Sequence, residues 1–140
     1  MVHKRLHHVG IIFPTIEKME KFMEMYGLEI DYEGETPYHS KFFFTKMNPD
    51  YSDSPIEFLI PSGGVLAEYN NGKGGIHHVC FEVDDVDKAC EEFRALGYQM
   101  LEEECQIVDE KPKTKINFVR PKSSQGVLVE FMETLEPLVR

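Results

Sequence analysis

No run of eighteen or more apolar residues occurs in this 140-residue chain, so no segment reads as a membrane-spanning helix. The opening MVHKRLHHVG lacks the apolar stretch of a signal peptide, and a soluble, cytoplasmic protein is the default expectation. Basic residues are in short supply: 15 Lys and Arg stand against 25 Asp and Glu, a formal net charge of -10. Nucleic acids and anionic membranes are held by basic surfaces, so neither is expected as a partner. The cysteines, Cys80, Cys90 and Cys105, are odd in number and lack close C-x-x-C spacing. That argues against a disulfide frame or a thiolate zinc site and leaves three structural thiols.

What the chain does contain is a repeat of itself. Leu6-His7-His8-Val9-Gly10-Ile11 aligns with Ile76-His77-His78-Val79-Cys80-Phe81, and the register continues through Ile16 with Val86, Lys18 with Lys88 and Gly27 with Gly97. Two copies suggest a closed pseudo-symmetric pair and not a solenoid. In the first copy, alternation over His3 to Phe13 predicts a strand, and Thr15 is placed to cap a helix running to Gly27. Strands follow at Leu28 to Tyr32, Lys41 to Lys46 and Pro55 to Ile60, with a turn expected over Glu33 to Tyr38. Val65 to Tyr69 reads as a short helix, and Asn70 to Gly75 is the candidate boundary. In the second copy Ile76 to Val83 is a strand, and Asp84 or Asp85 caps a helix ending at Gly97. Strands are then expected at Tyr98 to Glu104, Thr114 to Arg120 and Gly126 to Met132. Each copy reads βαβββ, at about 3–62 and 75–134, within a single domain of 1–140.

The copies also match at their far ends, where Ile56-Glu57-Phe58 corresponds to Val129-Glu130-Phe131. A carboxylate in the middle of an apolar strand must be paired, hydrogen-bonded or bound to a metal, or it takes up a proton. Alternation sets Glu130 opposite Val129 and Phe131, and His78 opposite Val79 and Phe81. With the apolar faces packed under the helices, His8, Glu57, His78 and Glu130 share the other face. Two imidazoles and two carboxylates around one divalent ion make a formally neutral cluster suited to Ni, Co, Zn, Mn or Fe, with coordination positions left for water or substrate. His7 and His77 alternate to the opposite face and read as structural, while His3 and His39 have no equivalents in the other copy.

On these residues the chain resembles the vicinal oxygen chelate superfamily, which contains glyoxalase I, methylmalonyl-CoA epimerase, extradiol dioxygenases and fosfomycin resistance proteins. The resemblance covers residues 5 to 134 and is closest to the epimerases at GGIHHVCFEVDD and INFVRPKSSQGVLVEF. It implies an α+β fold in which two βαβββ modules form a cupped mixed sheet around one metal, held by His8, Glu57, His78 and Glu130. Glu57 stands where the epimerases usually place glutamine and is the choice of glyoxalase I. Where some epimerases carry a glutamate base on the third strand, the alignment brings Lys41. The implied function is metal-dependent proton transfer beside a metal-bound carbonyl, most naturally on an acyl-CoA thioester such as methylmalonyl-CoA, with Glu57 and Glu130 as acid and base. The alternatives are a glyoxalase-I-like lyase acting on a thiohemiacetal and an antibiotic-binding protein without catalysis. Arg120 and Lys122, on the connection before the last strand, join Lys41 as candidate substrate contacts. Superfamily members of this size are commonly dimers, so a homodimer is expected.

Overall fold

The computed structural model describes residues 3–140. Its elements run β1 (His3–Ile12), α1 (Ile16–Tyr26), β2 (Ile30–Thr36), β3 (Ser40–Thr45) and β4 (Ile56–Pro61). A short helix α2 (Gly64–Glu68) and a 3-10 turn follow, and then the order returns as β5 (Gly75–Val83), α3 (Val86–Ala95), β6 (Gln106–Val108), β7 (Lys113–Val119) and β8 (Val129–Glu136). The eight strands hydrogen-bond in the order β2-β3-β4-β1-β5-β8-β7-β6. The sheet is mixed, because β1 runs parallel to β4 and β5 parallel to β8, whereas the β2-β3, β3-β4, β6-β7 and β7-β8 pairs are antiparallel. Parallel neighbours need a long connection, and here each first strand reaches its parallel partner only after a helix and two further strands.

One compact unit spans His8–His77. Its core is Met19, Phe43 and Phe58, with Ile11, Phe13, Phe22, Met23 and Ile56 packed around them. Met19, Phe22 and Met23 fall three and four residues apart and so lie on one face of α1. The helix starts where the Thr15 side chain accepts the Lys18 N–H, and it ends at Gly27, whose left-handed φ of 65° lets its N–H reach the Met23 carbonyl. Phe58 is fully buried and touches both Phe13 and Phe22, at ring-centre distances of 5.6 and 5.8 Å. It therefore belongs to the core, whereas Met47 is exposed.

The other unit joins residues 3–7 with His78–Arg140. Val83, Val86, Ala89, Cys90, Met100, Val119, Val129 and Phe131 form its core, with Val79, Phe81 and Phe93 packed against them. Of the two candidate caps, Asp85 is the one whose side chain accepts from the Lys88 N–H, and the Val86 N–H is taken by Glu133 at 3.0 Å. Two of the four orphan donors at the start of α3 are thus satisfied from outside the helix.

Two expected elements differ. The turn expected over Glu33 to Tyr38 is strand as far as Thr36, because Glu33, Gly34, Glu35 and Thr36 all find β3 partners. The strand expected over Tyr98 to Glu104 is reduced to an isolated bridge between Met100 and Val119, and β6 starts only at Gln106. Side chains take the backbone groups a ladder would have used. Asn117 accepts from the Glu102 N–H at 3.1 Å and donates to the Glu102 carbonyl at 3.0 Å, while Arg94 donates to the carbonyls of Glu102 and Glu103. A segment whose polar backbone is satisfied in this way has no need of a neighbouring strand.

Gly27 and Gly74 both adopt left-handed backbone, but nothing lies within 4 Å of a Cβ at Gly27, whereas one at Gly74 would sit 2.2 Å from the Ile12 carbonyl oxygen. Gly27→Ala should cost about 1 kcal/mol, the price of the left-handed conformation alone. Gly74→Ala should cost more than about 2 kcal/mol, because backbone must also move. Urea unfolding midpoints of the two variants compare them directly, and equal losses would show that the close approach at Gly74 carries no energy.

Candidate metal centre

In β1 and β4 the parallel register sets Glu57 beside Gly10, two residues beyond His8. In β5 and β8 it sets Glu130 beside Cys80, two residues beyond His78. Residues two apart on a strand share a face, so each glutamate comes to the side of the sheet that carries its histidine. The contacts agree, with His8 Nε2 3.4 Å from Glu57 Oε1 and His78 Nε2 3.1 Å from Glu130 Oε1. All four side chains are buried. The opposite face of β5 carries Val79, Phe81 and Val83 into the core beneath α3, as the alternation requires.

Each pair has a phenylalanine beside it. Antiparallel pairing sets Phe44 of β3 opposite Glu57 and Phe118 of β7 opposite Glu130. Phe44 meets the His8 ring at 4.9 Å and 85°, and Phe118 meets His78 at 5.6 Å and 87°. Both contacts are edge-to-face, an orientation that restrains a ring about its χ2 axis. Tyr32 stacks on Phe44 at 4.9 Å and 21°, backing the wall on that side. The sequence reading missed Phe44 and Phe118. Their signal was available, since an aromatic precedes Glu57 and Glu130 at nearly the same spacing, but the FFF run at Phe42 to Phe44 concealed which ring faced inward.

Among the described residues, His8, Glu57, His78 and Glu130 form a buried group that could hold a metal ion, with one ligand atom from each lying within 4.8 Å of the others. Two buried carboxylates are expensive unless positive charge accompanies them. A divalent cation fits this need, since two carboxylates cancel its charge and two imidazoles complete a mixed nitrogen and oxygen donor set. The set contains no thiolate, so a soft metal is disfavoured.

Of the four other histidines, His7 is buried on β1, His77 packs its ring on Tyr69 at 4.9 Å, His3 packs on Phe81 at 4.9 Å, and His39 occupies the β2-β3 turn, where its carbonyl accepts from the Ser62 N–H. Lys41 is exposed on β3, paired in register with Glu35 and Ile60. Alternation places it on the strand face of Phe43, which packs in the core, and not on that of Phe44, which packs on His8. Arg120 and Lys122 are exposed at the 3-10 turn between β7 and β8, where Arg120 donates to the Leu101 carbonyl at 3.5 Å.

A duplicated βαβββ order and a buried histidine and glutamate group of this kind define a class of mixed α+β chelate proteins. The chain belongs to the Glyoxalase/Bleomycin resistance protein/Dioxygenase superfamily, whose description matches residues 7–118. Within that class it is similar to the mitochondrial methylmalonyl-CoA epimerase of Dictyostelium discoideum, at 32% identity over 92% of this chain and 78% of the relative. It is also similar to the ethylmalonyl-CoA/methylmalonyl-CoA epimerase of Cereibacter sphaeroides, at 31% identity over 90% of this chain and 95% of the relative. Among solved structures, a variant of Streptomyces coelicolor methylmalonyl-CoA epimerase in complex with 2-nitronate-propionyl-CoA superposes with a TM-score of 0.82 at 26% identity, covering 99% of this chain and 100% of that one.

The rings beside the histidines generate a test. Phe44→Leu and Phe118→Leu keep an apolar wall but remove the ring edge that orients each imidazole. Calorimetric titration of the metal-free protein with Co²⁺ should show affinity lowered about tenfold in each, the usual size of an effect transmitted through a ligand's neighbour. Unchanged affinity in both variants would mean that the rings do no positioning.

Proposed function

We propose that this chain is a metal-dependent epimerase acting on the acyl-CoA thioester methylmalonyl-CoA. The observation that carries the reading is the same buried His, Phe and Glu arrangement built twice, at His8, Phe44 and Glu57 and again at His78, Phe118 and Glu130. Relatives named as methylmalonyl-CoA epimerases, aligned over nine-tenths of the chain or more, support the substrate. So does a structural neighbour in complex with methylmalonyl-CoA, at 26% identity and a TM-score of 0.82.

The reaction needs a proton removed from the carbon beside the thioester carbonyl and a proton returned to its other face. His8, Glu57, His78 and Glu130 would hold a divalent cation, which would supply positive charge where negative charge develops. Glu57 and Glu130, from the two copies of the repeat, serve as base and acid: one carboxylate takes the proton, and the other, protonated, delivers one to the opposite face. Burial of both carboxylates keeps competing water away from them. The cationic groups Arg120 and Lys122, exposed beside β8, are suited to the phosphates of coenzyme A, whereas Lys41, on the face of β3 that carries Phe43 into the core, is set aside as a contact. One domain of two βαβββ modules, 3–62 and 75–134, acting as a homodimer in the cytoplasm, completes the proposal.

The second reading is a glyoxalase-I-like lyase. What favours it is Glu57, a carboxylate donor where the resemblance to the epimerases leads one to expect glutamine.

Purified protein should contain a divalent ion by plasma mass spectrometry and should epimerise methylmalonyl-CoA. Glu130→Gln and Glu57→Gln should each lower solvent deuterium incorporation into substrate by about a hundredfold or more, the least that loss of an acid or base produces. Full exchange in Glu130→Gln would remove that carboxylate from the chemistry. Turnover of methylglyoxal with a thiol, together with inertness toward methylmalonyl-CoA, would replace the epimerase by the lyase.

A further inference from the structure

Away from the metal-ligand group, two of the three thiols meet. Cys90 Sγ lies 3.7 Å from Cys105 Sγ, although fifteen residues separate them in sequence. Cys90 sits fully buried on the inner face of α3, and Cys105 is half-buried immediately before β6. The Asn117 amide donates to Cys105 Sγ at 3.8 Å, and the Asp87 carboxylate, paired with Lys115, also faces that thiol. Cys80, on β5, is buried at another place in the fold and serves as an internal control.

We infer that Cys90 and Cys105 are a modification site: a dithiol that a hydroperoxide converts to a reversible intramolecular disulfide. Closing the gap to a bond of about 2.05 Å requires movement of less than two ångströms. The segment that must move is the one without a ladder, since Glu102 and Glu103 are held by the Arg94 and Asn117 side chains. The chemistry balances with the oxidant named. The Cys105 thiolate, being the accessible one, attacks a peroxide oxygen, and water or an alcohol leaves. Cys90 sulfur then attacks the sulfenic acid at Cys105, the S–S bond forms, and hydroxide departs with the Cys90 proton as water. A hydroperoxide is reduced, two thiols are oxidised, and a thiol reductant reverses the step.

Burial pushes the Cys105 thiol up to about 12 and raises Cys90 as well. Lys115 is committed to Asp87, and the Arg94 charge, also engaged with two carbonyls, lowers the Cys90 thiol by less than burial raises it. Little thiolate is present at neutral pH, and the pair responds to sustained oxidant and not to brief exposure. The link also has a route to the histidines. Asn117, which holds Cys105, accepts the Phe118 N–H at 2.8 Å, and the Phe118 ring walls His78.

The test uses the full chain under excess hydrogen peroxide, followed by alkylation and peptide mapping. The expected result is a mass lower by two hydrogens, a Cys90–Cys105 cross-link, alkylated Cys80, and recovery of the starting mass with dithiothreitol. Cys80→Ser should behave identically, whereas Cys90→Ser and Cys105→Ser should show no such loss. Sulfinic acid at Cys105 with Cys90 still alkylatable, a cross-link involving Cys80, or links only between molecules would each overturn the inference. The wild-type chain alone decides between these results, so misfolding of a variant does not obscure them.

Discussion

Two ionisable pairs buried at the same places in two copies of one strand pattern are the constraint around which this protein is built. An imidazole and a carboxylate removed from water need partners with good geometry, and removing one partner leaves the other as an uncompensated cost of several kcal/mol. The parallel registers of β1 with β4 and of β5 with β8 fix that geometry, since a slip of one residue would turn each glutamate onto the opposite face. The rest of the fold can be understood as keeping these registers in place. Long parallel connections make the first and last strands of each copy neighbours, and the helices cover the apolar faces that alternation leaves behind.

The same alternation separates two environments. Val79, Phe81 and Val83 go to the core under α3, and His78 and Cys80 go to the other side. On that side the polar donors are not left in a polar setting. Phe44 and Phe118 stand edge-on against the histidines, so the donors sit in apolar walls where their electrostatic interactions are little screened. An arrangement of this kind suits a charged species that develops and collapses during a reaction, because fixed dipoles and charges need not reorganise to meet it.

The superfamily hosts several chemistries on one architecture, and fold alone does not choose among them. Here the donor set and the relatives point in slightly different directions. The relatives carry epimerase names along nearly the whole chain, while Glu57 gives the centre a second carboxylate. A second carboxylate would balance the charge of a divalent ion and, on the proposed reading, offer a second proton-transfer group, so the two indications are compatible within one proton-moving enzyme.

Much of this was readable before any coordinates. The repeat of LHHVGI in IHHVCF, and of IEF in VEF, was enough to nominate His8, Glu57, His78 and Glu130, because a period of two decides which face a strand residue takes whatever the strand pairs with. Thr15, Gly27 and Gly97 likewise marked helix ends through local backbone chemistry. Contacts between residues distant in sequence were not readable. The ring from KFFFTK that meets His8 depends on the β3-β4 register, the lost strand after Gly97 depends on Asn117 reaching back to Glu102, and the meeting of Cys90 with Cys105 depends on how a helix packs over a loop. Sequence fixed what each residue could do locally; only tertiary packing decided which residues would do it together, because register and helix placement are set by the sum of many weak burials and not by any one motif.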